Sequence, residues 1–112
     1  MVEMIQRDDR NEVTIITVPA RLDAVLSESL NQLFGDLMAE GRCKVVVDCR
    51  HLEFLNSIVI GILVSFHQKA TKKGGNLKFA NVPLPVEDVF RLTKLDQVFK
   101  WYPSVDDAVA DF

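Results

Sequence analysis

Apolar and polar positions along the chain change their period several times, and each change marks an element. Residues 2–7 and 13–18 are two short extended runs, the second rich in β-branched side chains, with Asn11 between Arg10 and Glu12 separating them. That pattern predicts a hairpin. Pro19 blocks the second run, and beyond it Leu26, Leu30, Leu33 and Leu37 recur at steps of four, three and four, with Val25, Phe34 and Met38 widening the stripe. An amphipathic helix follows from that spacing. Asp23 stands just before it, where a carboxylate can accept orphan backbone N–H groups, and Gly41 follows as a stop.

Residues 45–47 are valines with no alternation, which suits a central strand covered on both faces. From Ser57 to Phe66 the chain is apolar almost all round, then basic up to Gly74 and Gly75. A buried helix with Ile60, Leu63, Val64 and Phe66 inward is expected, ending at the glycines. Residues 77–82 form another strand pattern, Pro83 and Pro85 open a third helix with Val86, Val89, Phe90 and Leu92 inward, 98–102 give a last strand, and 103–112 an acidic helical turn or two. The order strand, strand, then helix and strand in alternation predicts an α/β fold with a mixed, mostly parallel sheet of about five strands and about four helices. In such sheets ligands and partners meet the carboxyl ends of the strands, which here means Asp23 and the stretch 48–57.

At 112 residues the chain is read as one domain, and 48% hydrophobic content supports a core without a metal or disulfide staple. Thirteen basic against 16 acidic side chains, net −3, withhold the positive charge that nucleic-acid binding needs. The apolar run 58–66 falls short of the roughly 20 residues a bilayer demands, and the N-terminal residues turn charged where an export signal should become apolar. No nucleic acid, no membrane insertion and a cytoplasmic location are therefore expected.

Catalytic chemistry finds little support. His51 and His67 have no second histidine at helical spacing and the cysteines lack C-x-x-C spacing, so no metal is expected. If Cys43 and Cys49 bound one extended strand they would lie about 20 Å apart at 3.3 Å per residue, too far to bridge. Ser57, His51 and Asp48 share a stretch but no G-x-S-x-G elbow surrounds the serine. No glycine loop of the phosphate-cradling kind occurs, so no cofactor is expected. Asp48 and Glu53 pair only loosely: an aspartate ending a strand usually satisfies turn backbone, and Glu53 before Phe54 reads as a solvated residue before a buried one. Asp106, Asp107 and Asp111 read as a solvated terminal face. Ser57 remains. At the first turn of a helix its hydroxyl serves either as an N-cap or as a seat for phosphate, where free N–H groups and the dipole favour negative charge.

The segment 44–80, KVVVDCRHLEFLNSIVIGILVSFHQKATKKGGNLKFA, resembles the centre of a STAS domain of the bacterial anti-sigma factor antagonist type: valine-rich strand, aspartate, turn, buried helix, KKGG, strand. ARLD at 20–23 resembles the family's glycine-x-leucine-aspartate step, and RLTKLDQVFKWYPSVDDAV from Arg91 its closing stretch. The resemblance implies a single STAS domain over 1–112 and a regulatory, non-enzymatic protein binder. It implies a serine-kinase anti-sigma factor as partner, a sigma factor released when that partner is bound, a serine phosphatase as a further partner, and a monomer or weak dimer. Ser57 matches the serine that the kinase phosphorylates. Where the family motif reads aspartate-serine-serine/threonine-glycine-leucine-glycine, this chain has Asn56-Ser57-Ile58-Val59-Ile60-Gly61. Asn56 drops a charge but keeps a capping oxygen, and Ile58 and Val59 bring apolar bulk, both expected to be at least partly exposed. The resemblance implies a partner-binding surface of Asp23, Asn56, Ser57, Ile58, Val59 and Gly61. The alternative is a constitutive, phosphorylation-independent STAS subunit of a larger signalling or lipid-transport assembly.

Overall fold

The computed structural model describes residues 4–112. Strands β1 (Gln6–Arg10) and β2 (Val13–Thr17) form the hairpin, Arg10 opposite Val13 across the Asn11–Glu12 turn, with Asn11 at φ 55°. The first strand thus lies later in the chain than the expected 2–7, of which residues 2 and 3 fall outside the described residues. Gln6–Arg10 is exposed throughout, so no buried face anchors it to its apolar neighbours; the tight turn and the buried β2 set its register.

Further helices and strands follow in alternation: α1 (Ala24–Ala39), β3 (Lys44–Asp48), α2 (Ser57–Lys72), β4 (Asn76–Ala80), α3 (Leu84–Leu92), a 3-10 turn, β5 (Lys100–Tyr102) and α4 (Val105–Ala110). The sheet order is β1-β2-β3-β4-β5, with β1 antiparallel to β2 and every other pair parallel. Because β2 to β5 advance in one direction, α1, α2 and α3 lie side by side on one face, over Ile16, Val18, Val45, Val47, Leu77 and Phe79. Helix α4 packs Val105 and Ala108 on the other face, against Val13, Ile15, Val46 and Ala80.

Packing follows the expected stripes with shifts at their margins. Leu30, Phe34 and Leu37 of α1 and Leu63 and Phe66 of α2 are buried, and Phe34 stacks on Phe66 at 4.3 Å. Ile60 and Val64 are half-buried. Val25 and Leu92, assigned inward, are exposed; each sits at a helix end, where the sheet no longer lies beneath the stripe. Asp111 is exposed but not idle, since its backbone carbonyl accepts the buried Lys78 Nζ at 2.5 Å and its carboxylate accepts the Tyr102 hydroxyl. The cysteines are free, at opposite ends of β3.

Gly74, at φ 83°, ends α2. Gly75 is needed for a different reason, because a Cβ there would stand 2.0 Å from the Cys43 carbonyl oxygen, which accepts the Asn76 N–H as β4 begins to pair with β3. Gly75→Ala is therefore expected to lower stability by about 1–3 kcal/mol, as overpacking does. A urea midpoint within error of the parent protein would contradict this.

Candidate functional site

The carboxyl ends of β2 and β3 are zipped together before the helices begin. Glu53 N and Phe54 N both donate to the Ala20 carbonyl, at 2.8 and 3.0 Å, Leu22 N donates to Phe54 O at 3.3 Å, and Arg21 and Phe54 form a parallel bridge. The Arg21 guanidinium lies 5.1 Å from the Phe54 ring centroid. This clasp sets the first turns of α1 and α2 beside each other at one sheet edge.

Beneath the clasp, Asp48 is buried and satisfied. It accepts Arg50 N at 3.2 Å, Arg50 Nε at 2.9 Å and Asn81 Nδ2 at 3.0 Å, the backbone-satisfying role expected of it. Glu53 is exposed, but Phe54, expected to be buried, is 46% exposed: its ring lies under Arg21 at the surface rather than in the core. Cys49 is buried and desolvation pushes its thiol well above the usual range, which removes it as a nucleophile at neutral pH.

Both helices open on polar caps. Asp23 Oδ1 accepts Leu26 N at 3.0 Å, and Asn56 Oδ1 accepts Val59 N at 2.9 Å. The cap of α2 is thus Asn56, not Ser57. Ser57 is the first helical residue, exposed, and its hydroxyl makes no hydrogen bond among the described residues. Of its two apolar neighbours the structure separates the roles. Ile58 is 63% exposed, as expected, whereas Val59 is 0% exposed, against expectation. The helical period of about 100° per residue turns Val59 inward, where it lines an interior void with Leu22, Leu52 and Leu63. Gly61, exposed with open space where a Cβ would be, lies one turn beyond Ser57 on the same face.

Two exposed apolar side chains not assigned to this edge join Ile58 there: Val25, 73% exposed in the first turn of α1, and Leu84, 71% exposed as the first residue of α3. Parallel β2, β3 and β4 deliver their helices from the same end, so Val25 and Ile58, each the second residue of its helix, and Leu84, the first of α3, all lie in first turns at that end. Pro83 and Pro85 mark the helix start and so place Leu84 in its first turn, but no sequence signal shows that its side chain is exposed.

No helix among the described residues is long and apolar enough to cross a membrane. A family model described as "STAS domain" matches residues 4–108. The anti-sigma-F factor antagonist RsfB of Mycobacterium tuberculosis is 25% identical over 103 residues, covering 90% of this chain and 82% of that protein. An anti-sigma factor antagonist of Mycobacterium paratuberculosis, known from a crystal structure, superposes with a TM-score of 0.84 at 28% identity over 96% of this chain and 92% of its own. The Bacillus cell fate determinant SpoIIAA in its phosphorylated form shares the fold, with a TM-score of 0.78 at 16% identity over 96% and 97% of the two chains.

Proposed function

The chain belongs to the STAS domain family, and on that premise we propose that it is a regulatory protein-binding module that antagonises an anti-sigma factor. Its contact surface is the sheet edge around Ser57, and phosphorylation of Ser57 switches it off. The observation that carries this reading is the pairing of a free, exposed Ser57 hydroxyl with the exposed apolar Ile58 in one helical turn. A relative named for antagonism of an anti-sigma-F factor supplies the class of partner.

In the unphosphorylated state Val25, Ile58 and Leu84 bury their apolar surface against the partner, with Gly61 allowing its backbone to approach and Asp23 and Asn56 forming the polar rim. The partner is a serine kinase. Ser57 Oγ attacks the γ-phosphorus of the ATP it holds, ADP leaves, and the hydroxyl proton passes to a base. Asn56 cannot take that proton, so the base is the kinase's own. A serine phosphatase reverses the change by hydrolysis. The helix dipole favours an exposed charge at its N-terminus by about 0.3–1 kcal/mol, so the fold survives phosphorylation and only its face changes.

The test uses the complex of the host's anti-sigma factor with its sigma factor. Adding this protein should release sigma, and ATP should place phosphate on Ser57, mapped by mass spectrometry. Sigma that stays bound would contradict the antagonist reading. Asn56 in place of an acid favours the second reading, a phosphorylation-independent subunit; release of sigma with no phosphate on Ser57 would select it.

A further inference from the structure

Helix α4 is only six residues long and packs over β3 to β5 and the Val13 and Ile15 side chains of β2, leaving the β1 side of that sheet face, from Gln6 to Arg10, exposed. The opening is a groove of about 570 Å³, on the opposite face of the sheet from α2, with Ile15 and Thr17 on its floor, Gln6 and Arg10 along one wall, and Arg50 and His51 at its end.

We propose that this groove binds a small molecule carrying two oxyanion groups, phosphate or carboxylate, joined by a short polar spacer. The inference is independent of the function assigned to Ser57. Its basis is which hydrogen-bonding groups are left over. Three carboxylates face the groove, Asp8, Asp48 and Asp106, and each already has a guanidinium: Arg10 pairs with Asp8 at 3.1 Å and Asp106 at 3.4 Å, and Arg50 with Asp48 at 2.9 Å. Arg50 spends only its Nε on Asp48, so its two terminal nitrogens, the fork that matches an oxyanion, carry no partner among the described residues. Arg10 is held by two exposed carboxylates. Exposed pairs of this kind are worth about 0–1 kcal/mol, so an incoming oxyanion displaces them at little cost. The Thr17 hydroxyl, the Gln6 amide and His51 make no side-chain hydrogen bond among the described residues and point to the polar spacer.

Spacing favours a ligand with two anions. Arg10 pairs with Val13 and Gln6 with Thr17, so Arg10 and the Arg50 end of the groove are about 13 Å apart along the strands. The two arginines enter the groove from opposite ends, so a ligand carrying an oxyanion at each end can meet one guanidinium with each.

The experiment is an NMR titration of the full chain with fructose 1,6-bisphosphate, citrate and inorganic phosphate. The expected result is saturable shifts at Thr17, Arg50 and His51 with one or both of the two larger probes, at concentrations where inorganic phosphate produces none. Response to the bisphosphate alone assigns phosphate, to citrate alone carboxylate. Arg10→Gln and Arg50→Gln should each weaken binding about tenfold or more, the cost of a lost charge-assisted contact. Asp8→Asn with Asp106→Asn should tighten it, a gain that a misfolded protein could not give. Unsaturable shifts, shifts confined to residues 56–59 at the start of α2, or unchanged affinity in both arginine variants would overturn the proposal.

Discussion

Ile58→Asp is expected to weaken binding of the anti-sigma partner about thirtyfold or more, the scale of an interface hot spot, while leaving thermal unfolding where it is. The side chain is 63% exposed on the first turn of α2, so the folded protein loses little packing with it. In the proposed complex it belongs to the apolar contact together with Val25 and Leu84, on the helix that lies between theirs in chain order. A carboxylate buried in the proposed apolar contact is stripped of water, which costs more than losing the isoleucine alone unless a cation pairs with it. Calorimetric affinity together with a melting curve checks both halves. Unchanged affinity would take Ile58, and with it the centre of the proposed surface, out of the interface.

Val59→Gly is expected to do the reverse. Val59 is 0% exposed, and a buried valine contributes about 1.5–3 kcal/mol, while glycine in a helix costs about 1 kcal/mol more than alanine. Together they predict a loss of about 2.5–4 kcal/mol, which at about 4 °C or more per kcal/mol lowers the melting temperature by about 10 °C or more. The partner affinity of the protein that remains folded should be unaffected. Denaturant unfolding measures the first, and titration below the new melting temperature the second. A variant as stable as the parent would contradict the inward placement of Val59 and the helix phase that produces it.

These adjacent residues show where sequence is informative and where it stops. The order of elements was legible because each has its own period: the stepped leucines of α1, the unbroken valines of β3, the nearly all-apolar α2 closed by Gly74. Helix phase at the first turn of α2 was not legible, because an almost uniformly apolar run such as Ile58-Val59-Ile60 has no polar face to orient it. The choice between Asn56 and Ser57 as cap was equally undetermined, since both side chains can accept a backbone N–H; only geometry shows that Asn56 takes the bond and frees Ser57. Strand β1 lies away from its expected place because its face is solvated and carries no burial constraint.

The edge itself was partly visible. Asp23 and the stretch 48–57 were placed there by the rule that parallel strands deliver their loops to one end, and they do meet there, through the Ala20, Glu53 and Phe54 backbone clasp. Val25 and Leu84 were missed. A valine at the start of a leucine stripe looks like core until the sheet beneath is seen to end, and Leu84 joins Ile58 only through the side-by-side order of three crossover helices.

The most direct test of the Ser57 switch is the affinity of the anti-sigma partner for one preparation measured twice, after phosphorylation at Ser57 and again after phosphatase treatment. Phosphoserine adds about −1.5 to −2 charges to a chain whose formal total is −3, in the first turn of α2 beside the exposed Ile58. Moving the partner from almost fully bound to almost fully free takes about 5.5 kcal/mol of differential binding, about ten-thousandfold; even a third of that is readily measured. The expected result is a loss of at least about a hundredfold on phosphorylation, restored by the phosphatase, with circular dichroism unchanged throughout. Equal affinity in the two states, or tighter binding of the phosphorylated one, would contradict it.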